Sequence, residues 1–469
     1  MRLRSPLLVA GFTASALGVG CTVGPDYKRP PLRLPESFYG EQSATEARSL
    51  GDLPWWDIFK DPVLKSLVEE ALKSGFDARL AAARVQEARA VYGVSRSQLF
   101  PSVDYQAGWL RTRPNQFLNP SGATLTEWTA EVGVGWELDL WGHVRRLNES
   151  AKAQYLATEE ARRGVLLSLL SDVATAYFEL CELDAELEIA RRTTVAFQDT
   201  YDLFSRRLQG GAASALETSR AEASLGEVAA QIPEVERAIV ARENQINLLL
   251  GRNPQAIPRG GPSMPLPPET PAGLPSTLLE RRPDVRQAEQ LLVAANAEIG
   301  VAKAAFFPTL SLTGLFGNVT PELGDLFSKG KTWDVGSSAL GPLFHGGAIK
   351  HNYEAKKARW EQAKIEYEAA VTQSLSETST ALVARTKLAE TEIQRTRTVE
   401  AYREAVRLAN LRYGSGLSAY FEVLEAQQQL FPAEIGLAQT RRDQLVAVVI
   451  LYKALGGGWQ AEEVRGLPR

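Results

Sequence analysis

The sequence predicts a mainly helical, internally duplicated chain whose few membrane strands combine with those of other copies in a shared β-barrel. Three observations predict it. First, Asp77, Gly93 and Pro101 recur as Asp284, Gly300 and Pro308, 207 positions later. Gly142 recurs as Gly346, Arg207 with Gly211 as Arg412 with Gly416, and Gly251 as Gly456, at offsets of 204, 205 and 205. So constant a spacing means two structurally equivalent halves. Second, each half holds a long segment almost free of helix breakers. Third, each half holds two stretches of period-two alternation, each near the roughly 9–11 residues that a tilted strand needs to cross a bilayer.

In chain order, residues 1–20 open with Arg2 and Arg4, continue through an apolar run from Leu7 to Val19 and end in small residues, the pattern of a signal peptide. Leu17-Gly18-Val19-Gly20-Cys21 resembles a lipoprotein signal, in which Cys21 becomes the lipidated first residue, although the large aliphatic residue stands four positions before the cysteine and not three. An ordinary cleaved signal is the alternative. Residues 21–60 form an N-terminal segment rich in Pro and Trp that cannot hold a long helix, and it reads as extended. Asp61-Pro62 opens the first repeat, 61–253, with a short helix to about Lys73 and a longer one from Asp77 to Phe100, stopped by Pro101.

Val103, Tyr105, Ala107 and Trp109 alternate along one candidate strand, and Trp128, Ala130, Val132, Val134, Trp136, Leu138 and Leu140 along the next, giving a β-hairpin at about 102–141. From Gly142 to Gln209 the only interior glycine is Gly164 and there is no proline, so a continuous helix would run about 100 Å at 1.5 Å per residue. Within it Val173, Tyr177, Leu180, Leu183, Leu187, Ala190, Thr194, Phe197, Tyr201, Phe204 and Leu208 recur at steps of three and four, a seam that asks for partner helices. After Gly210-Gly211 a return helix runs from Ser214 to Leu250, with a kink expected at Pro233. A Pro-rich linker, 254–275, leads to the second repeat, 276–456, with its β-hairpin at about 309–344 and a long helix from Gly347 to Arg412 returning to Leu455; residues 457–469 are a tail. Four strands cannot close a barrel, because bacterial barrels have at least about eight, so several chains must share one.

Composition narrows the function. With a net charge of −4 there is no basic field for nucleic acid, and the three His and two Cys show no metal-ligand spacing. Cys181, between Leu180 and Leu183, reads as a small packing residue and not a disulfide partner. No phosphate-binding loop, nucleophile elbow or carboxylate pair with a His base is present, so neither a cofactor nor an enzymatic role is expected. Beyond the signal the sequence reads as having no apolar run that would cross a bilayer as a helix.

Six phrases in order carry a family resemblance: "CTVGPDYKRP", "WELDLWG" at Trp136–Gly142, "RRPDVRQAE" at Arg281–Glu289, "FFPTLSLTG" at Phe306–Gly314, "GPLFHGG" at Gly341–Gly347 and "RYGSGLSAYFEVLEAQ" at Arg412–Gln427. The chain resembles TolC-family outer-membrane efflux proteins of the lipoprotein, NodT/OprM-like branch. The resemblance implies a homotrimer with a twelve-stranded β-barrel, four strands per chain, continued by a long-helix α-barrel in the periplasm. It implies an outer-membrane exit duct of a tripartite efflux system, lipid-anchored, working with a periplasmic adaptor and an inner-membrane pump of the resistance-nodulation-division type to export small molecules and drugs. A type I protein-secretion duct and a coiled-coil structural lipoprotein are the alternatives.

The resemblance also points to residues where the long helices turn back. Phe421, Glu422 and Glu425 match the periplasmic aperture; three-fold symmetry would turn each into a ring, and converging carboxylates repel and attract cations. Tyr413 and Glu217, the first-half counterpart of Glu422, match an aperture latch in which the tyrosine donates to the carboxylate. Ser418 stands where relatives carry a basic link, and Gln428 where some carry Arg, which implies a looser gate. Gly211, Ala212, Gly416, Leu417 and Ser418 match adaptor-docking tips. The bland readings are solvated carboxylates at a helix start, a packed tyrosine and ordinary glycine turn chemistry.

Overall fold

The structure is a computed structural model, and it describes residues 22–39, 49–115, 117, 121–260, 273 and 275–457. The signal peptide, Cys21, most of the linker and nearly all of the C-terminal tail lie outside the described residues. The elements run α1 (Trp55–Ile58), α2 (Pro62–Ser74), α3 (Phe76–Ser97), β1 (Ser102–Thr112), β2 (Leu125–Leu138), α4 (His143–Gln209), α5 (Ala215–Leu250), α6 (Leu278–Arg281), α7 (Pro283–Ala304), β3 (Thr309–Thr320), β4 (Lys331–Leu340), α8 (Ala348–Gly414) and α9 (Phe421–Ala454). The chain divides into two compact units that cut across the repeats, each taking segments from both halves.

The first unit, made of the chain up to Pro31 with Val85–Glu159 and Gln287–Glu368, carries the strands. They form one antiparallel sheet in the order β1-β2-β3-β4. The two hairpins are joined through β2 and β3, where Trp128 pairs with Thr320 and Leu138 with Leu310. One cross-strand row holds Tyr105, Val132, Phe316 and Trp333, and a second holds Val103, Val134, Gly314 and Val335. The strands stop before the alternation does. β2 ends at Leu138 because the Asp139 carboxylate turns to accept from the backbone N–H groups of Val144 (3.0 Å) and Arg145 (2.9 Å), capping α4. Trp141 leaves the ladder to stack on Phe307, ring centroids 4.7 Å apart, and to donate to the Pro308 carbonyl at 2.8 Å. β4 ends at Leu340 because Gly341 turns against Pro308 and Pro342 has no N–H for a ladder.

The phrase after Cys21 is a strap on this unit. Val23 donates to the Trp141 carbonyl (3.0 Å), Arg146 reaches Asp26 (2.8 Å), Asn296 holds the Pro25 carbonyl (2.9 Å), and Arg29 grips Glu289 with two bonds of 2.7 and 2.8 Å. Gly24 crosses Gly300 so closely that a Cβ on it would lie 2.5 Å from the Gly300 Cα, which accounts for glycine at both positions.

The second unit, Leu32–Arg84, Glu160–Arg286 and the chain from Ala369, is helical. Its main core gathers Leu64, Val68, Tyr177, Phe178, Ile246, Leu250, Val448 and Tyr452 from α2, α4, α5 and α9. The Tyr177 hydroxyl, fully buried, donates to Asp61 at 2.8 Å and accepts from the Gly260 N–H at 2.9 Å, while Asp61 caps α2. Cys181 packs at the edge of this core, half-buried and free, with its thiol pushed up to about 12 by burial and by the nearby Asp184. One correction concerns α4: it does contain a stretch long and apolar enough to cross a membrane by composition, but most of that stretch is buried inside the protein. Its hydrophobicity serves the core.

Candidate functional site at the helical tips

The turn-back end of the second unit has its own apolar cluster. Phe197, Phe204, Ala221, Val228, Ala409, Tyr420, Val423 and Leu424 are buried together. Burying a Phe or Val fully is worth about 1.5–3 kcal/mol, so this cluster holds the two hairpin tips side by side. The α4 seam follows its predicted period down to Phe204, whereas Leu208 is 39% exposed, so the packing ends one turn short of the tip.

Both long helices stop in the same way. Gly211 (φ +71°) and Gly416 (φ +72°) take the left-handed conformation. At the first tip Gly211 N–H reaches the Leu208 carbonyl (3.0 Å) and Ala212 N–H the Arg207 carbonyl (2.8 Å); at the second, Gly416 reaches Tyr413 (3.0 Å) and Leu417 reaches Arg412 (2.9 Å). These are paired Schellman ends. The glycines face open space, and Leu417 beyond them is 72% exposed. Ala212 is exposed as well, and Ser418 is half-buried with a hydroxyl that has no partner among the described residues.

The starts of the return helices differ. Ser214 caps α5: its hydroxyl accepts from Glu217 N–H (3.3 Å), and the Glu217 carboxylate accepts from Ser214 N–H (2.8 Å) and hydroxyl (2.9 Å). These bonds from the Ser214 backbone and side chain hold the Glu217 carboxyl below the usual range. α9 has no such cap. Tyr420 precedes it instead, 9% exposed, its hydroxyl 2.6 Å from Thr200 Oγ1 and its ring edge-on to Phe204 at 4.7 Å. Val423 and Leu424 turn inward, which leaves Phe421, Glu422 and Glu425 on the exposed side of the first turns. Glu422 lies 3.4 Å from Arg412, and Arg220 stands over the Phe421 ring at 5.7 Å.

The latch pairing differs from the expectation. Within the chain the Tyr413 hydroxyl accepts from Arg207, whose guanidinium also lies 5.3 Å from the tyrosine ring centre, and the ring packs edge-on against Tyr420. Within the chain Tyr413 does not donate to Glu217, one of whose carboxylate oxygens accepts from Ser214. The S-x-x-E capping box at Ser214–Glu217 is legible in the sequence and would have assigned that carboxylate. Gln428 donates to Ser224 at 2.8 Å.

Two buried acids escaped the sequence reading. Glu434, 7% exposed, receives both Arg192 and Arg403, the latter at 2.6 and 3.0 Å. Glu182, 8% exposed, borders a cavity of about 380 Å³ with Glu179, Glu186, Arg242 and Arg442, and burial together with the neighbouring Glu186 pushes its carboxyl up to about 8. No local signal marks either one, because acids on a long helix normally read as a solvated face.

A four-stranded sheet with two open edges and one apolar face, in a chain that also folds long paired helices with acids and an aromatic at their turn-back end, defines a subunit of a membrane channel. Comparison with known proteins gives the family. A sequence model described as Outer membrane efflux protein matches residues 67–252 and 274–457. The probable efflux pump outer membrane protein TtgC of Pseudomonas putida is 36% identical over 97% of this chain and 96% of its own. The cation efflux system protein CusC of Escherichia coli O6:H1 is 32% identical over 97% and 100%. The open state of the Neisseria gonorrhoeae MtrE outer membrane channel superposes with a TM-score of 0.84 at 31% identity, covering 93% of this chain and 98% of that one.

The chain belongs to the outer membrane efflux protein family. It is an outer-membrane channel component of an efflux system, and its relatives favour that function over the protein-secretion duct and the structural lipoprotein. Three copies, each with four strands, build the β-barrel and the helical barrel continuous with it. Members of the family work with adaptor and inner-membrane pump partners.

Proposed function

We propose that the trimer is the exit duct for small organic molecules delivered by a resistance-nodulation-division pump through a periplasmic adaptor, and that it is gated at the start of α9. It performs no chemistry on its cargo. The observation that carries the gate is the outward placement of Phe421, Glu422 and Glu425 while Val423 and Leu424 are packed inward. In three copies that face presents a ring of aromatics and two rings of carboxylates, a constriction that attracts cations. The tips, with Gly211, Ala212, Gly416 and Leu417 exposed and Ser418 half-buried beside them, supply adaptor contacts. Tyr413 supports the gate through Arg207 and Tyr420, and a Tyr413–Glu217 link would use the carboxylate oxygen that Ser214 leaves open. Relatives whose names specify solvents, toluene or antibiotics, at 34–36% identity, support small organic cargo. Lipidation of Cys21 would add an anchor beside the strap that begins at Thr22.

The test is planar-bilayer conductance of the purified trimer against Glu422→Ala/Glu425→Ala, with divalent cations added on the periplasmic side. The expected result is a low, cation-blocked conductance that rises several-fold and loses the block in the variant. Equal conductance and equal block in both proteins would place the gate elsewhere.

A further inference from the structure

The four-stranded sheet separates its charges by face. On the face with the Tyr105–Val132–Phe316–Trp333 row the charged strand residues are Arg111 and Lys331 alone, and on the opposite face they are Asp104, Glu127, Glu131, Glu137 and Asp334. A barrel turns its apolar and aromatic face to lipid and its polar face to the lumen, so both cations point outward. Both also sit at the loop end of the sheet, Arg111 one residue before the end of β1 and Lys331 at the start of β4. Each is exposed, and neither has an ion pair or side-chain hydrogen bond among the described residues.

β1 and β4 are the two edges of the sheet, so in the shared barrel β4 of one copy lies antiparallel to β1 of the next. Directly opposed residues share a face, so Lys331 must oppose an outward residue of β1. Opposite Arg111, all ten residues of β4 find partners in β1, 331–340 against 111–102; sliding by two in either direction leaves residues of β4 without a ladder partner in β1. The same register sets Trp333 opposite Trp109, whose ring already lies 5.9 Å from that of Trp128. Each seam then carries a row of three tryptophans, the side chain of membrane–water interfaces, with two opposed cations one step nearer the loops. Like charges directly opposite repel unless an anion lies between them.

We propose that each seam binds the phosphate of a phosphorylated glycolipid of the outer leaflet, held by Arg111 of one protomer and Lys331 of the partner subunit against the Trp128–Trp109–Trp333 row, giving three sites per trimer. The proposal rests on the shared barrel and is independent of the gate. The tryptophans carry the sugar and upper acyl region, and the cations carry the phosphate.

The test is native mass spectrometry of the intact trimer titrated with diphosphorylated lipid A, and with its dephosphorylated form. Wild type is expected to take up to three molecules of the phosphorylated lipid, about tenfold more tightly than the dephosphorylated one. Arg111→Gln/Lys331→Gln should lose that preference, and Arg111→Lys/Lys331→Arg should keep it. Arg111→Glu should abolish lipid binding yet raise the trimer's resistance to heat, because it makes an ion pair with Lys331 across the seam. Equal binding by wild type and the double Gln variant would overturn the proposal. So would displacement of the lipid by millimolar inorganic phosphate, which would mark a bare anion site. Lower heat resistance of Arg111→Glu would show that the two residues do not face each other.

Discussion

The two hairpin tips share one stop and differ in their start. Arg207 with Gly211 and Arg412 with Gly416 end α4 and α8 through the same pair of hydrogen bonds. The difference that sets the starts apart lies three residues past each glycine: Ser214 stands where the second half has Ala419. The serine engages Glu217 in a cap, whereas the alanine leaves the equivalent Glu422 outward beside Arg412. Leu216 answers to Phe421, and Arg220 to Glu425. A duplicated scaffold thus keeps its helix ends in common and specialises its first turns. The first tip spends its acid on local stability, and the second presents two acids and an aromatic.

The halves also differ deeper in the helical unit, where the largest effect is expected. Glu182 is buried with its carboxyl raised to about 8, while its counterpart Lys387 is exposed and pairs with Glu390 at 2.8 Å. A folded-state pKa above the unfolded value of about 4.5 means that the native state holds a proton the unfolded state releases, so this residue costs stability as pH rises from about 4.5 to about 8. Glu182→Gln should therefore match wild type near pH 4.5 and exceed it by a few kcal/mol at pH 8, read by chemical denaturation of the helical signal. A difference independent of pH would mean that Glu182 is not neutral in the native state. Lys387→Gln, by contrast, should change little at any pH.

The shared stop predicts a second, smaller effect that is equal in the two halves. A Cβ at Gly211 or Gly416 meets nothing, so alanine there costs backbone strain alone, about 1–2 kcal/mol each. Hydrogen exchange of the amides in the last turns of α4 and α8 should rise alike in Gly211→Ala and Gly416→Ala. Unequal rises would show that one tip relies on contacts the other lacks.

Much of the fold was legible because its signals are local. Proline stops, glycine ends and period-two alternation define α3, β1, α4 and α8 to within a few residues, and the strand faces follow from parity. The strand ends were not legible, since Asp139 and Leu140 continue the alternation, while Asp139 and the following Trp141 have stronger partners in α4 and in Phe307 and Pro308. Nor was the β2–β3 pairing, which joins residues as far apart as Trp128 and Thr320 with no turn between them to set a register. At the tips, the resemblance placed Phe421, Glu422 and Glu425 on a face that the structure leaves exposed, but it paired Tyr413 with Glu217, and the hydroxyl lies with Arg207. Side-chain partners across helices depend on rotation and rise, which a sequence period does not supply.

The smallest effect tests the comparison at its origin. Ser214→Ala should cost about 1 kcal/mol of local stability, the usual value of a helix cap, and release Glu217. Because hydrogen bonds from Ser214 hold the Glu217 carboxyl low, that cost should be present above about pH 4.5 and fade as pH falls through the lowered value. The reverse change, Ala419→Ser, gives Glu422 a capping partner and should gain a few tenths of a kcal/mol at the start of α9. If the gate uses Glu422 because nothing else holds it, Ala419→Ser should also raise conductance and weaken divalent block in the same direction as Glu422→Ala, though by less. A stabilised tip with an unchanged block would mean that capping leaves the carboxylate in the pore, and that the alanine at 419 is not what sets the second tip apart.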